Sequence, residues 1–384
     1  MYIRIIFTLN TIDMKHLTLV FVLLCIFACS SEDIVSTVEE SVEPANEVAA
    51  QTVNLLDSLE IMDYIYSIID SGPKTRISLH PQLPDGWDSK LTPEQRKLFA
   101  NTYPRPLFTT EKKLLNENFP RLDYSNAVVY GPSTTNYNCF AYSMGLNHRW
   151  IEFRTWMECD DGYRYAMSKF GSAYNYYDYY DGTFAHMAVA WGLATPLHAV
   201  SKSEWQNPCS YSKMGRMWLL WHTDEALTNN GIYGFPTKRY FPAKTRTRAT
   251  EEISEASQEN ITFSQDELAF IYKKSGVSKE KTRFESLFNE WKEAWNWSLS
   301  NNTASTRQLP QYADLKAMGK DIIPLLIEKM VAEEDNFFAI RLYEDLQDNP
   351  DLIIRYAPDD PCVLEGLQQT TKKTIKKWLE YNSN

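Results

Sequence analysis

The sequence predicts an α+β protein in which a helix bearing a cysteine packs on a small antiparallel sheet, followed by an all-α region. Three observations predict it. Between Tyr124 and Pro242, short apolar runs alternate with turn signals, the pattern of brief strands. A turn-rich stretch from Gly131 to Asn138 leads into Cys139 and a short helical pattern, Phe140–Gly145. Beyond residue 260, apolar residues recur at helical spacing almost to the end of the chain.

The chain begins with its own punctuation. Met14-Lys15-His16 opens a short polar region, and Met14 is an alternative initiator to Met1. Leu17–Ala28 is a 12-residue apolar run, whereas a bilayer-spanning helix needs about 20 residues. That is the form of a secretory signal, so residues 1–28 read as a signal peptide. Ile26-Phe27-Ala28-Cys29 resembles the bacterial lipobox, with Phe27 where a small residue is usual, and the resemblance implies lipid on Cys29. Ser30-Ser31-Glu32-Asp33 resembles the surface-export signal of lipoproteins from the Bacteroides group. The implied location is the outer membrane or cell surface of a Gram-negative, Bacteroides-like cell, with the lipid as the membrane contact. Each buried methylene contributes about 0.8 kcal/mol, so two or three acyl chains hold a soluble domain there. Residues 29–51, rich in Ser, Glu and Val, then form a solvated tether.

Composition favours a globular body after the tether. Hydrophobic residues make up 43% of the 384 and aromatics 14%, enough for a sizeable core and for two domains. The net charge is −11 and no basic cluster is interleaved with aromatics, which argues against a nucleic-acid partner. Of six cysteines, Cys25 lies in the signal and Cys29 is the lipidation site. Cys139, Cys159, Cys209 and Cys362 remain, too few for a disulfide framework, with Cys159–Cys209 open as a bridge in an oxidising compartment. No CxxC pair or HExxH is present, so no metal and no cofactor is expected.

Apolar residues from Asn46 to Ile69 have helical spacing, and Ser71-Gly72-Pro73 stops that run; it is a helical lead-in to a first domain spanning residues 52–242. Thr92-Pro93-Glu94-Gln95 reads as a second helix start. Strand-like runs follow at Ala127–Tyr130, Met187–Trp191, Leu197–Val200 and Met217–Trp221, and Gly192-Leu193-Ala194-Thr195-Pro196 joins two of them in a hairpin. The aromatic stretch Ala173–Phe184 is either a ligand platform or core packing. Residues 243–259 are polar and charged and read as a linker to a helical domain, residues 260–384. There Ser264 and Glu267 have capping-box spacing, and Phe284, Leu287, Phe288, Trp291 and Trp295 line one helix face. Further helical runs cover Gln311–Met318, Ile322–Met330, Asn336–Leu346 and Leu367–Leu379.

The chemistry gathers around Cys139. In papain-like folds the nucleophilic cysteine opens a helix, where the helix dipole and a neighbouring imidazolium favour the thiolate. A histidine later in the chain, on a strand, takes the proton, and the cysteine N–H helps hold the oxyanion. Cys139 and His198 have that order, and Asn136 or Asn138 would supply a side-chain donor. The third member stays open among Ser210, Ser212 and His222, with His186, His148 and His80 as weaker choices. His80 would need the permuted order of lecithin-retinol-acyltransferase-like folds. Against this chemistry stands the ordinary fate of a free cysteine, burial in the core.

The ordered motifs "YNCFAYSMG" (Tyr137–Gly145), "HAV" (His198–Val200), "SKMG" (Ser212–Gly215), "WH" (Trp221–His222) and "YG" (Tyr233–Gly234) resemble an uncharacterised bacterial domain family with YNC(I/A)AWA, HAA, SKLG and YG motifs. The resemblance covers about Leu122 to Pro242 and extends distantly to NlpC-type papain-like peptidases. It implies a papain-like fold with Cys139 as nucleophile, His198 as base, His222 as a further motif residue, and Asn138, Asn136 and Ser212 in support. Residues from Arg283 to Tyr381 resemble a small bacterial helical domain of unknown function, with Asn336-Phe337-Phe338 where a Trp-Phe pair is usual; such packs more often serve protein contacts. Two functions follow. One is a cell-surface cysteine amidohydrolase or peptidase acting on peptide or peptidoglycan-like substrates. The other is a surface binding lipoprotein that keeps the fold without the chemistry.

Overall fold

A computed structural model describes residues 83, 85–169, 174–176, 187–202, 209–228, 231–242, 261–357 and 359–383. All of them fall within one compact unit, Leu55–Asn384. The signal peptide, Cys29, the tether, the lead-in helix over Asn46–Ile69, His80, His186 and the linker 243–259 lie outside the described residues, as does most of Ala173–Phe184.

The first described helix, α1 (Pro93–Ala100), starts where the sequence places it. The Thr92 side chain accepts from the Gln95 N–H and the Gln95 side chain accepts from the Thr92 N–H, with Pro93 in the first turn, where no N–H is needed. Then come α2 (Thr109–Asn116), β1 (Ala127–Gly131), α3 (Cys139–Ser143), α4 (Trp156–Lys169), β2 (Tyr174–Tyr176), β3 (Met187–Gly192), β4 (Pro196–Lys202), β5 (Cys209–Lys213), β6 (Leu219–Thr223), the single turn α5 (Asp224–Leu227) and β7 (Pro236–Pro242). The strands form one antiparallel sheet in the order β1-β6-β5-β4-β3-β7-β2. The predicted hairpin is present as β3–β4, with Ala190 opposite Ala199 and Trp191 opposite His198.

The sheet is buried on both faces, and side-chain size tells the faces apart. Successive strand residues point to opposite sides. In β3, Met187, Val189 and Trp191 enter one core, together with Phe99, Leu115 and Phe119 from the α1–α2 side. Ala188 and Ala190 enter the other, together with Cys139, Phe140, Phe153 and Tyr163. The alanines leave room for α3 and α4 to lie close to the strands. In β4, Val200 belongs to the first core and Ala199 to the second.

The chain then continues as helices: α6 (Gln265–Gly276), α7 (Lys281–Asn296), α8 (Pro310–Ala317), α9 (Ile323–Ala332), α10 (Ile340–Leu346) and α11 (Leu367–Ser383). Ser264 and Glu267 form the reciprocal capping box. Phe284, Phe288, Trp291 and Trp295 are all buried from α7, each contributing a few kcal/mol of apolar burial. The expected run over Asn336–Leu346 divides, because Glu334–Ala339 is a 3-10 segment and only α10 is α-helical. Trp150, ahead of α4, packs into this helical core, 6.0 Å from the Trp295 ring and 5.4 Å from Phe337. Glu152 accepts from the Thr303 N–H at 2.5 Å and pairs with Arg341 at 2.7 Å. These bonds tie the segment between α7 and α8 to the sheet region. Cys139, Cys159, Cys209 and Cys362 are free thiols, so the Cys159–Cys209 bridge is not formed. Among the described residues, no helix is long and apolar enough to cross a membrane.

Candidate functional site

Cys139 is the first residue of α3, as the turn-rich approach predicts. Asn138 is its N-cap. The Asn138 side-chain oxygen accepts from the Ala141 N–H at 3.2 Å and the Ile151 N–H at 3.3 Å, and its amide donates to Ile151 O at 2.6 Å and Asn301 O at 3.2 Å. With every bond directed at backbone, Asn138 shapes the loop and offers no donor to a substrate. Asn136 is exposed, its N–H donating to Thr134 Oγ1 and its carbonyl accepting from Gln368.

His198 sits near the start of β4 and is fully buried. Its ring stacks on Tyr233, centroids 3.9 Å apart and planes 2° from parallel, and meets Trp191 edge-on. Both aromatics belong to the core on the face opposite Cys139. Asn301, from the segment after α7, reaches both residues. Its Oδ1 accepts from the Cys139 N–H at 3.5 Å, while its Nδ2 donates to Leu197 O at 3.3 Å and stands 3.3 Å from His198 Nδ1. With an amide N–H facing it, Nδ1 is an acceptor and the ring proton sits on Nε2. That Nε2 is buried without a partner. No hydrogen bond joins Cys139 to His198.

The electrostatics follow from burial. Desolvation pushes the Cys139 thiol well above its usual range, only partly offset by the Ala199 and Phe140 backbone. Desolvation, with His222 nearby, pulls His198 well below its usual value. Near neutral pH both groups are uncharged, the opposite of a thiolate–imidazolium pair.

His222, also buried, faces neither of them by hydrogen bond. Its Nε2 accepts from Ser212 Oγ at 2.7 Å and its Nδ1 donates to Thr223 O at 2.9 Å, and burial pulls it down to about 4. Ser212 is thereby committed to His222, and Ser210 donates to Asp224. His148 is exposed beside Arg149. Among the described residues, no three His, Cys, Asp or Glu side chains gather as a metal-holding group.

Residues 128–241 match the profile of a domain of unknown function, DUF7689. The match covers less than half of the chain. The DUF7689 segment runs from β1 to β7 and contains Cys139, His198, Lys213, His222 and Tyr233, whereas Asn301 lies beyond it. No curated protein and no solved structure matches the chain.

Three participants lie outside the residues singled out from sequence. Tyr233 and Lys213 were within reach, since the "YG" and "SKMG" motifs contain them. Lys213 is fully buried with Nζ donating to the carbonyls of Thr134, Gly215 and Met217, and desolvation holds its pKa well below the lysine range. Asn301 has no local signal, being one of a run of polar residues, Ser300–Thr303, in a loop.

Proposed function

We propose that the chain is a lipid-anchored cell-surface protein that binds rather than cleaves, a papain-like scaffold in which Cys139 and His198 serve packing. One observation carries this reading: Cys139 and His198 face different cores, and the Asn301 amide already occupies the Cys139 N–H that an oxyanion would need. The Ile26–Cys29 motif supports the anchor. Cys29→Ser is expected to leave the membrane fraction, and its recovery there would remove the anchor from the proposal.

Alkylation by iodoacetamide tests the site. In the folded protein Cys139 is expected to resist the reagent across neutral pH, equally in wild type and His198→Ala. A second reading, a cysteine amidohydrolase for peptide or peptidoglycan-like substrates, is favoured by the buried Nε2–H of His198, which lacks a partner. That reading requires Asn301 to withdraw. It predicts fast alkylation of Cys139 near neutral pH that slows in His198→Ala, a result that would overturn the first.

A further inference from the structure

The loop Ser133–Asn136, the turn Arg216–Trp218 between β5 and β6, the end of α7 and Asp335 enclose an open cavity of about 550 Å³. That is the size of small-molecule sites, roughly 300–1,000 Å³. Its electrostatics disfavour both signs of charge. Glu293 and Asp335 line it and repel an anion. Arg216 is part of the wall but only 4% exposed, with Nε and Nη1 sealed and its guanidinium packed 5.7 Å from the Trp295 ring and 5.8 Å from Phe338. Asp335 already faces that guanidinium by charge, and burial brings Arg216 down only to about 10, so it stays protonated. A cation therefore gains little from Asp335 and meets the field of the buried guanidinium. The ligand that fits is uncharged.

The polar groups of the lining are of both kinds. The carboxylates of Glu293 and Asp335 only accept, whereas the Ser133 hydroxyl and the Asn136 amide also donate. Asn136 bonds to the protein through its main chain, which leaves its amide to the cavity. A hydroxyl is donor and acceptor at once, so a ligand bearing several answers both sets. A peptide presents one N–H and one C=O per residue, and its carbonyls would face carboxylates. Trp297 supplies the apolar contact. Among the described residues it is the single exposed tryptophan, at 57%, and its indole N–H is fixed on Glu293 at 3.0 Å. A flat apolar face beside hydroxyl-binding groups matches a pyranose ring, apolar on its C–H face and hydroxylated at its rim.

We infer that this cavity binds a neutral saccharide, its ring stacked on Trp297 and its hydroxyls held by Glu293, Asp335 and Asn136. The inference goes beyond the Cys139 junction and requires no chemistry there. It is equally independent of the anchor at Cys29, so its failure and the failure of either of those readings are distinct.

Calorimetric titration of the full chain with maltose, cellobiose, lactose and diacetylchitobiose tests it. Saturable binding of at least one is expected, about tenfold weaker in Trp297→Ala, whose exposed position leaves the melting curve unchanged. Trp297→Phe keeps a flat apolar face and is expected to retain most of the affinity. Three results would overturn the inference: no saturation by any of the four at tens of millimolar, undiminished binding in Trp297→Ala, or glucuronate or glucosamine binding more tightly than glucose. N-acetylglycinamide binding more tightly than every sugar would assign the cavity to a peptide backbone and overturn the saccharide.

Discussion

Cys139, His198 and Asn301 on one side, and Arg216 on the other, are two groups of buried polar residues with opposite surroundings. At the Cys139 junction the residue types of a hydrolase are present, yet the backbone N–H is taken by Asn301, the thiol is sealed, and the imidazole stacks on Tyr233 of the opposite core. At Arg216 nothing in the residue type suggests a site, yet its Nε and Nη1 are buried without partners beside an open cavity whose Asp335 reaches it only through charge. The contrast teaches that residue identity nominates a site, whereas the count of satisfied donors and the access to solvent decide whether it can meet a ligand.

The largest effect is expected from breaking the seal itself. Gly215 has φ +54, and a Cβ there would lie 2.7 Å from the backbone of Leu299, two residues before Asn301. Gly215→Val therefore combines left-handed strain with a clash, for a loss of about 4 kcal/mol in urea unfolding. Cys139 should become reactive to iodoacetamide in the same protein, because Asn301 moves with Leu299. Wild-type stability in Gly215→Val would mean that this close approach does not hold the junction shut.

Next in size is a pH effect carried by the buried histidines. His222 is held to about 4 in the folded chain against 6.5 when exposed, and His198 is lowered in the same direction. Between those values the unfolded chain binds protons that the folded chain refuses, so stability is full above about pH 6.5 and falls as the pH drops toward 4. For His222 the loss amounts to about 3 kcal/mol. Urea midpoints measured across that window should fall steeply in wild type and less steeply in His222→Gln. An identical slope in both would show that His222 is not buried as a neutral ring.

Much of this architecture was legible because it is periodic. The i, i+3, i+4, i+7 spacing from Phe284 to Trp295 buries as predicted, with Leu287 only partly covered. The glycine–proline turn at 192–196 joins the strands it separates. β7 escaped notice because Pro236 and Pro242 bound it and Lys238 and Arg239 interrupt its apolar pattern, although Lys238 finds Asp160 at 2.5 Å. Cys139 and His198 were correctly placed on a helix start and a strand, but chain order carries no information about which face a strand residue takes. That information was present in β3, where large and small residues alternate. It becomes useful only when the register setting Trp191 opposite His198 is known. Asn301 and Arg216 were out of reach, since each acts through contacts between distant segments that leave no local pattern.

The smallest effect sharpens the comparison most, because it concerns two asparagines only two positions apart. Asn138 makes four hydrogen bonds to backbone from a fully buried position, so Asn138→Ala removes a helix cap and leaves Ile151 and Asn301 groups unpaired, at a cost of about 2 kcal/mol. Asn136 is exposed and bonds through its main chain, so Asn136→Ala is expected to stay within about 0.5 kcal/mol of wild type. The order reverses at the cavity. Asn136 lines it and Asn138 does not, so Asn136→Ala should weaken saccharide binding modestly while its melting curve is unmoved. If Asn136→Ala instead destabilised the fold as much as Asn138→Ala, the loop before α3 would be part of the sealed core on both sides, and the division between a closed junction and an open cavity would fail.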